Sequence, residues 1–131
     1  MTFTSASLTG VPFTRDECLR LLDKADVARV LLSVKGLPAA LPARIETAER
    51  DRLVISSREN AVLLAARRGE VISLQIDGLS DDDRTWSVTV TGIASAVPVD
   101  GPESERFKRR LGCGATLVIL PLSLVAGHHE H

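Results

Sequence analysis

The chain has little cysteine and little net charge, contains no long apolar run, and carries no histidine before its last four residues. Each shortage excludes a class of function. Its 131 residues contain two cysteines. Cys18 falls in a helical pattern and Cys113 between two glycines, which is neither zinc-ligand spacing nor the density of a disulfide-stapled secreted scaffold. Both read as free thiols in a reducing compartment. Nowhere do about 18 apolar residues follow one another, and MTFTSASLTGVPF has neither the basic start nor the apolar core of a signal peptide. The expectation is a soluble cytoplasmic protein that does not enter a membrane. A formal net charge of −1 argues against a nucleic-acid partner, because most of that affinity comes from a basic face neutralising phosphates. Arg106, Lys108, Arg109 and Arg110 cluster beside Phe107, but the segment's narrow apolar stripe reads as a solvated helix face. All three histidines lie in the closing GHHEH, read as a flexible terminus and not as a metal site. With none elsewhere, no Ser-His-Asp or Cys-His arrangement is credible, and no catalytic residue is assigned.

The remaining composition suits one globular domain over residues 1–131, with flexible tails at 1–13 and 127–131. TRDECLRLLDKA begins with Thr14 and Glu17 at capping-box spacing and continues with Cys18, Leu21, Leu22 and Ala25 on one helical face. VARVLLSV and AALPARIETA are β-compatible runs joined through KGLP as a hairpin, and ERDR leads into the strand LVIS. EVISLQID alternates Val71, Ser73, Gln75 and Asp77 against Ile72, Leu74 and Ile76. WSVTVTGIASAV sets Trp86, Val88 and Val90 against Ser87, Thr89 and Thr91, with Gly92 expected at a bulge or bend. VDGPESERFKRRL reads as a short helix. ATLVILPLSLVAG reads as one last strand, apolar on both faces, confined by Pro121 to an edge or bulge and in need of a second cover. That cover is either one of the chain's own helices or a second subunit. Five or six strands in hairpins, with helices before, within and near the end, give a mainly β (α+β) antiparallel barrel with peripheral helices.

The segment RLVISSRENAVLLAARRG raises the functional question. It runs from a strand through SREN into an apolar helix, and Ser56 and Glu59 have the spacing of a capping box, which satisfies helix amides without any ligand. The same amides, with Arg58 beside them, also suit a phosphate.

The order and wording of ECLRLL, VARVLLSVKGLPAALPARI, RLVISSRENAVLLAA, VISLQIDGL and TWSVTVTGIA resemble the FMN-binding split-barrel, pyridoxamine 5′-phosphate oxidase-like family. The resemblance covers about Arg15 to Val97, more loosely the last strand. It implies an antiparallel split β-barrel, a homodimer with flavin sites at its interface, and FMN as cofactor, with a deazaflavin or no cofactor as alternatives. Carried over by position, Ser56, Ser57, Arg58 and Asn60 would lie near the phosphate, and Leu41, Pro42, Ala43 and Arg44 along the ring. Gln75, Trp86 and Ser87 would approach from the other subunit. Trp86 reads equally as a core tryptophan, and Gln75 equally as exposed surface. Relatives carry a lysine or arginine early in the helix, where this chain has Ala61 and Val62. The implied activity is a flavin-dependent oxidoreductase acting on a small unsaturated or heteroaromatic substrate. The alternative is a non-catalytic dimeric module.

Overall fold

The computed structural model describes residues 10–97, Glu105, Phe107 and 116–130. The expected helix VDGPESERFKRRL and its basic cluster fall outside these residues, apart from Glu105 and Phe107, which are both helical. In chain order the elements are β1 (Val11–Pro12), α1 (Arg15–Lys24), β2 (Val27–Val34), β3 (Leu37–Ala48), β4 (Arg52–Ser57), α2 (Asn60–Arg68), β5 (Val71–Leu79), β6 (Thr85–Ile93), β7 (Ser95–Ala96), β8 (Thr116–Pro121) and β9 (Leu124–His129).

Helix α1 starts where its capping chemistry places it. Thr14 Oγ1 accepts from the Glu17 N–H at 3.2 Å, and the Glu17 carboxylate reaches back to Thr14. Two orphan amides are satisfied reciprocally, so Thr14→Ala is expected to lower stability by about 1 kcal/mol. A denaturant midpoint measures this, and ligand affinity should not move with it.

Strands β2 and β3 form a hairpin through Lys35 and Gly36, both at positive φ, a two-residue turn whose twist matches the flanking strands. Pro38 and Pro42 lie where β3 pairs only with β2, since pairing to β4 begins at Arg44. Proline, lacking an N–H, is tolerated on such an open edge. The alternation expected for EVISLQID and WSVTVTG holds: Ile72, Leu74, Ile76, Val88 and Val90 are buried, and their neighbours face outward.

All strands belong to one antiparallel sheet of order β1-β9-β6-β5-β2-β3-β4-β8-β7. Strands β8 and β9 are consecutive in sequence, separated by Leu122 and Ser123 alone, yet pair with β4 and β6 in distant parts of that order. The sheet must therefore curl until its ends approach, the geometry of a split barrel. This corrects the expectation of one last strand from Ala115 to Gly127: apolar composition continues across the break, but the hydrogen-bonding partner changes. Gly92 also differs from expectation. It stays in register opposite Ile72, with no bulge, and a methyl there would come 3.2 Å from Pro121 Cγ across the closure. Close approach, not a bend, distinguishes this position.

The interior is filled from every side by Leu22, Val30, Leu53, Ile55, Leu74, Val88, Val90, Val118 and Leu120. Each such side chain contributes about 1.5–3 kcal/mol on burial. The other face of β8 has its own cover: Leu117 and Ile119 pack with Ala48, Val54, Val97 and Phe107. The second cover needed by the doubly apolar strand is thus supplied within the chain.

Residues 127–129, expected as a flexible tail, are strand: His128 and His129 pair with Ser87 and Trp86 on one side and with Pro12 and Val11 on the other. The apolar periodicity of the core does not reach these residues, so ladder hydrogen bonds fix them instead. The Phe13 ring also lies 5.4 Å from that of His129.

Candidate functional site

Along β3, Leu41 and Ala43 turn inward and pack with the core, while Pro42 and Arg44 face out. Arg44 sits opposite Ser56 in β4 and lines a hollow of about 380 Å³ with Asp23, Asp26 and Glu46, so its guanidinium stands in acidic surroundings. Ser56 and Ser57 are buried, 6% exposed each.

The expected capping box of Ser56 and Glu59 does not form. Strand β4 keeps pairing with β8 through Ser57, which holds Ser56 in the sheet, and α2 begins only at Asn60. Glu59 occupies the N-cap position and its side chain caps nothing. Ser57 Oγ instead accepts from the Glu59 N–H at 3.1 Å, a local turn that steers the chain into the helix. The first turn of α2 holds no acidic residue. Arg58 is exposed and makes no ion pair with another described residue. The sequence thus brings uncapped helix amides, two serines, Arg58 and Asn60 to one place.

Gln75, Trp86 and Ser87 are elsewhere. They line a groove of about 820 Å³ at the end of β5, β6 and β9, together with Asp77, Gly78, Thr85, His128 and Glu130 among others. Trp86 is half-buried against the core, and its indole lies over Gly78, where a methyl would be 2.8 Å from Trp86 Cζ2. Pro42 and Gln75 are both cross-strand partners of Arg29, so they share the outer face at a separation of two strands, about 10 Å. The expected site residues therefore fall into two groups on different strands.

Two features escaped the sequence reading. Arg29 Nη1 lies 2.7 Å from Asp77 Oδ2 across β2 and β5 on the outer face. The outward position of Arg29 in VARVLLSV signals an exposed charge, but not its partner. His128 and Glu130, expected in a tail, line the groove. Histidine is thus present in the fold, yet no hydrolytic triad results. Asp77, Ser87 and His128 form a row across β5, β6 and β9 with the serine in the middle, whereas nucleophilic catalysis needs the imidazole between carboxylate and hydroxyl. At the β5–β6 turn, the Ser80 hydroxyl and then Arg84, 2.6 Å away, hold the Asp82 carboxyl below its ordinary range. No group of metal-ligating side chains assembles among the described residues, and no helix there is long and apolar enough to cross a membrane.

Cys18 faces the core from α1, and burial, aided by Glu17, pushes its thiol pKa up. The native state keeps a proton that the unfolded chain releases above about pH 8.5, so this contribution to stability is complete below that pH and falls as pH rises beyond it. In a Cys113→Ser background, Cys18 is expected to resist a thiol reagent in the native protein at pH 8 and to react fully after denaturation. Rapid native labelling would contradict the buried, protonated thiol.

A curled antiparallel sheet closed by consecutive strands, with a strand-to-helix turn holding buried serines, defines a split barrel. The chain belongs to the pyridoxamine 5′-phosphate oxidase family, whose model matches residues 14–112. It is 34% identical over 106 residues to an uncharacterized protein of Mycobacterium tuberculosis, covering 77% of this chain and 69% of that one. Among solved structures, an FAD-binding protein of Mycobacterium smegmatis shares the fold at a TM-score of 0.70 and 18% identity, over 92% of this chain and 100% of the other. A second FAD-binding protein, from Mesorhizobium loti, gives a TM-score of 0.72 at 17% identity, over 90% of this chain and 94% of that one.

Proposed function

We propose that this chain binds a flavin nucleotide as a homodimer and serves as a flavin-dependent oxidoreductase for a small unsaturated or heteroaromatic compound. The observation that carries the reading is the start of α2. Its amides are uncapped by any side chain, no acid stands in its first turn, and Ser57, Arg58 and Asn60 surround it. Helix amides and a guanidinium fork together suit a phosphate dianion. The residues present therefore fit the phosphate of FMN, and the similarity to two FAD-binding proteins supports a flavin. The ring would run along Leu41, Pro42, Ala43 and Arg44, on the open edge of β3 that the prolines leave unpaired. A bound flavin supplies redox chemistry of its own, and the chain's residues bind, orient and shield it.

The support for the dimer reading comes from the outer face and not from β8. Register aligns Ala40, Leu31, Ser73, Thr91 and Leu124 in one row across five strands. Ser73 and Thr91 share a hydrogen bond at 2.7 Å across this row, which lowers the cost of covering their hydroxyls. Leu124, Val71 and Ile93 are 60–67% exposed on the same face. Exposed apolar side chains grouped on one sheet face favour an interaction surface there. Two copies joined there would bring Gln75, Trp86 and Ser87 of the partner subunit toward the phosphate-bearing half-site. The Glu59 carboxylate beside that half-site favours the second reading, a cofactor-free dimeric module.

Sedimentation equilibrium at micromolar concentration should give twice the chain mass. Titration should show FMN binding at about micromolar Kd, roughly −8 kcal/mol, and riboflavin at least tenfold more weakly. Equal binding of the two would reduce SSREN to a helix start. Binding of a deazaflavin alone would replace the cofactor, and binding of none would leave the cofactor-free module.

A further inference from the structure

The groove at the end of β5, β6 and β9 differs in charge from the phosphate half-site. Two carboxylates and one imidazole line it, Asp77, Glu130 and His128, and among the described residues no lysine or arginine does. Asp77 is compensated by Arg29, 2.7 Å away and outside the lining, and Arg84, whose Nη1 donates to the Glu130 carbonyl at 3.4 Å, is paired with Asp82 at 2.6 Å, which leaves Glu130 as the lining carboxylate without an ion-pair partner among the described residues. That carboxylate is held in place: Glu130 Oε1 accepts from the Thr85 N–H at 2.7 Å, and the Glu130 N–H donates to the Thr85 carbonyl at 2.9 Å. The apolar wall is Trp86, the chain's single tryptophan, seated on Gly78. Gln75, Thr85 and Ser87 add neutral polar groups.

An aromatic wall, neutral donors and acceptors and one fixed carboxylate recognise a flat ring that is uncharged or positively charged. From this we infer that the groove selects neutral or cationic planar heteroaromatic compounds and rejects phosphorylated or carboxylated ones. A pyridoxamine 5′-phosphate dianion is therefore a poor ligand for this member of the family. The inference gives the substrate class for the flavin-dependent reading and rests on it for the chemistry, while occupancy of the groove is measurable without flavin. One fixed carboxylate near water distinguishes a cation from an anion of the same shape by roughly tenfold at low salt, and by less as salt screens it.

A single tryptophan gives a single indole N–H cross-peak in a nitrogen-15 NMR spectrum, and in flavin-free protein that peak reports on the groove Trp86 lines. Flavin-free protein is titrated with 1-methylquinolinium, quinoline, quinoline-6-carboxylate and pyridoxamine 5′-phosphate. The expected result is movement of the Trp86 indole peak, with the quinolinium binding about tenfold or more tightly than the carboxylate and the phosphate weakest. In Glu130→Gln, which keeps an acceptor for Thr85, the ratio should shrink to within about threefold, with the neutral ring unaffected. An anion binding as well as the cation, a ratio that survives Glu130→Gln, or an indole peak that none of the compounds moves would overturn the inference. A parallel FMN titration separates the two claims. FMN binding without ring selectivity removes the substrate class alone, and ring selectivity without FMN binding removes the cofactor alone.

Discussion

Replacing Gly127 by alanine is expected to destabilise the fold by about 3 kcal/mol, toward the upper end of what overpacking costs. An added methyl would come 2.9 Å from Cys18 Sγ, 3.0 Å from the Phe13 ring and 3.0 Å from the Ser87 carbonyl oxygen. The first two belong to side chains that can shift. The third belongs to β6, held by ladder hydrogen bonds opposite Gly127, and cannot retreat without opening the β6–β9 pairing. A loss of this size is a large share of the roughly 5–15 kcal/mol by which domains are stable, so the denaturant midpoint should fall clearly with an unchanged slope. An unchanged midpoint would show that α1 does not press on β9 as described. Because Ser87 and His128 line the groove, the same variant should also weaken ring binding there.

Arg58→Ala should leave stability almost untouched and still remove most of the preference for FMN over riboflavin. Arg58 is exposed and makes no ion pair with another described residue, so the fold loses nothing when it is truncated. A charge-assisted hydrogen bond contributes about 1.5–3 kcal/mol, and solvent exposure places this one at the low end. The expected loss for FMN is therefore about tenfold, with riboflavin unchanged because it never engaged the guanidinium. Parallel loss for both ligands would mean that Arg58 acts on the ring or on the fold and not on the phosphate.

Much of the architecture is legible in the residues, for identifiable reasons. Val27–Val34 is announced in full by VARVLLSV, and the inward set of β5 and β6 by strict alternation, because one face of each is buried against the core. The Thr14–Glu17 cap is readable because both partners are local. What was not readable depends on distant pairing. The break at Leu122 and Ser123 leaves no mark in the sequence, since apolar residues continue from β8 into β9 although Leu124 turns outward. Gly92 looks like a bend in isolation, and only the closure against Pro121 shows why a side chain is crowded there.

The candidate site divides along the same line. Ser57, Arg58 and Asn60 sit at the helix start the sequence suggests, but the spacing of Ser56 and Glu59 misleads, because β8 holds Ser56 in the sheet. Gln75, Trp86 and Ser87 do share one groove. Its other walls, His128 and Glu130, come from residues with no periodic signal, fixed by pairing to β6 and β1 and by the Thr85 contact.

The central claim is that a flavin phosphate sits on the start of α2. Nitrogen-15 NMR of the backbone amides tests it most directly, with FMN and riboflavin added to the same sample. The amides of Asn60 and Ala61 should shift with FMN and stay in place with riboflavin, while those of Leu41, Ala43 and Arg44 respond to both. Identical responses to the two ligands at Asn60 and Ala61, or none to FMN, would contradict the phosphate seat.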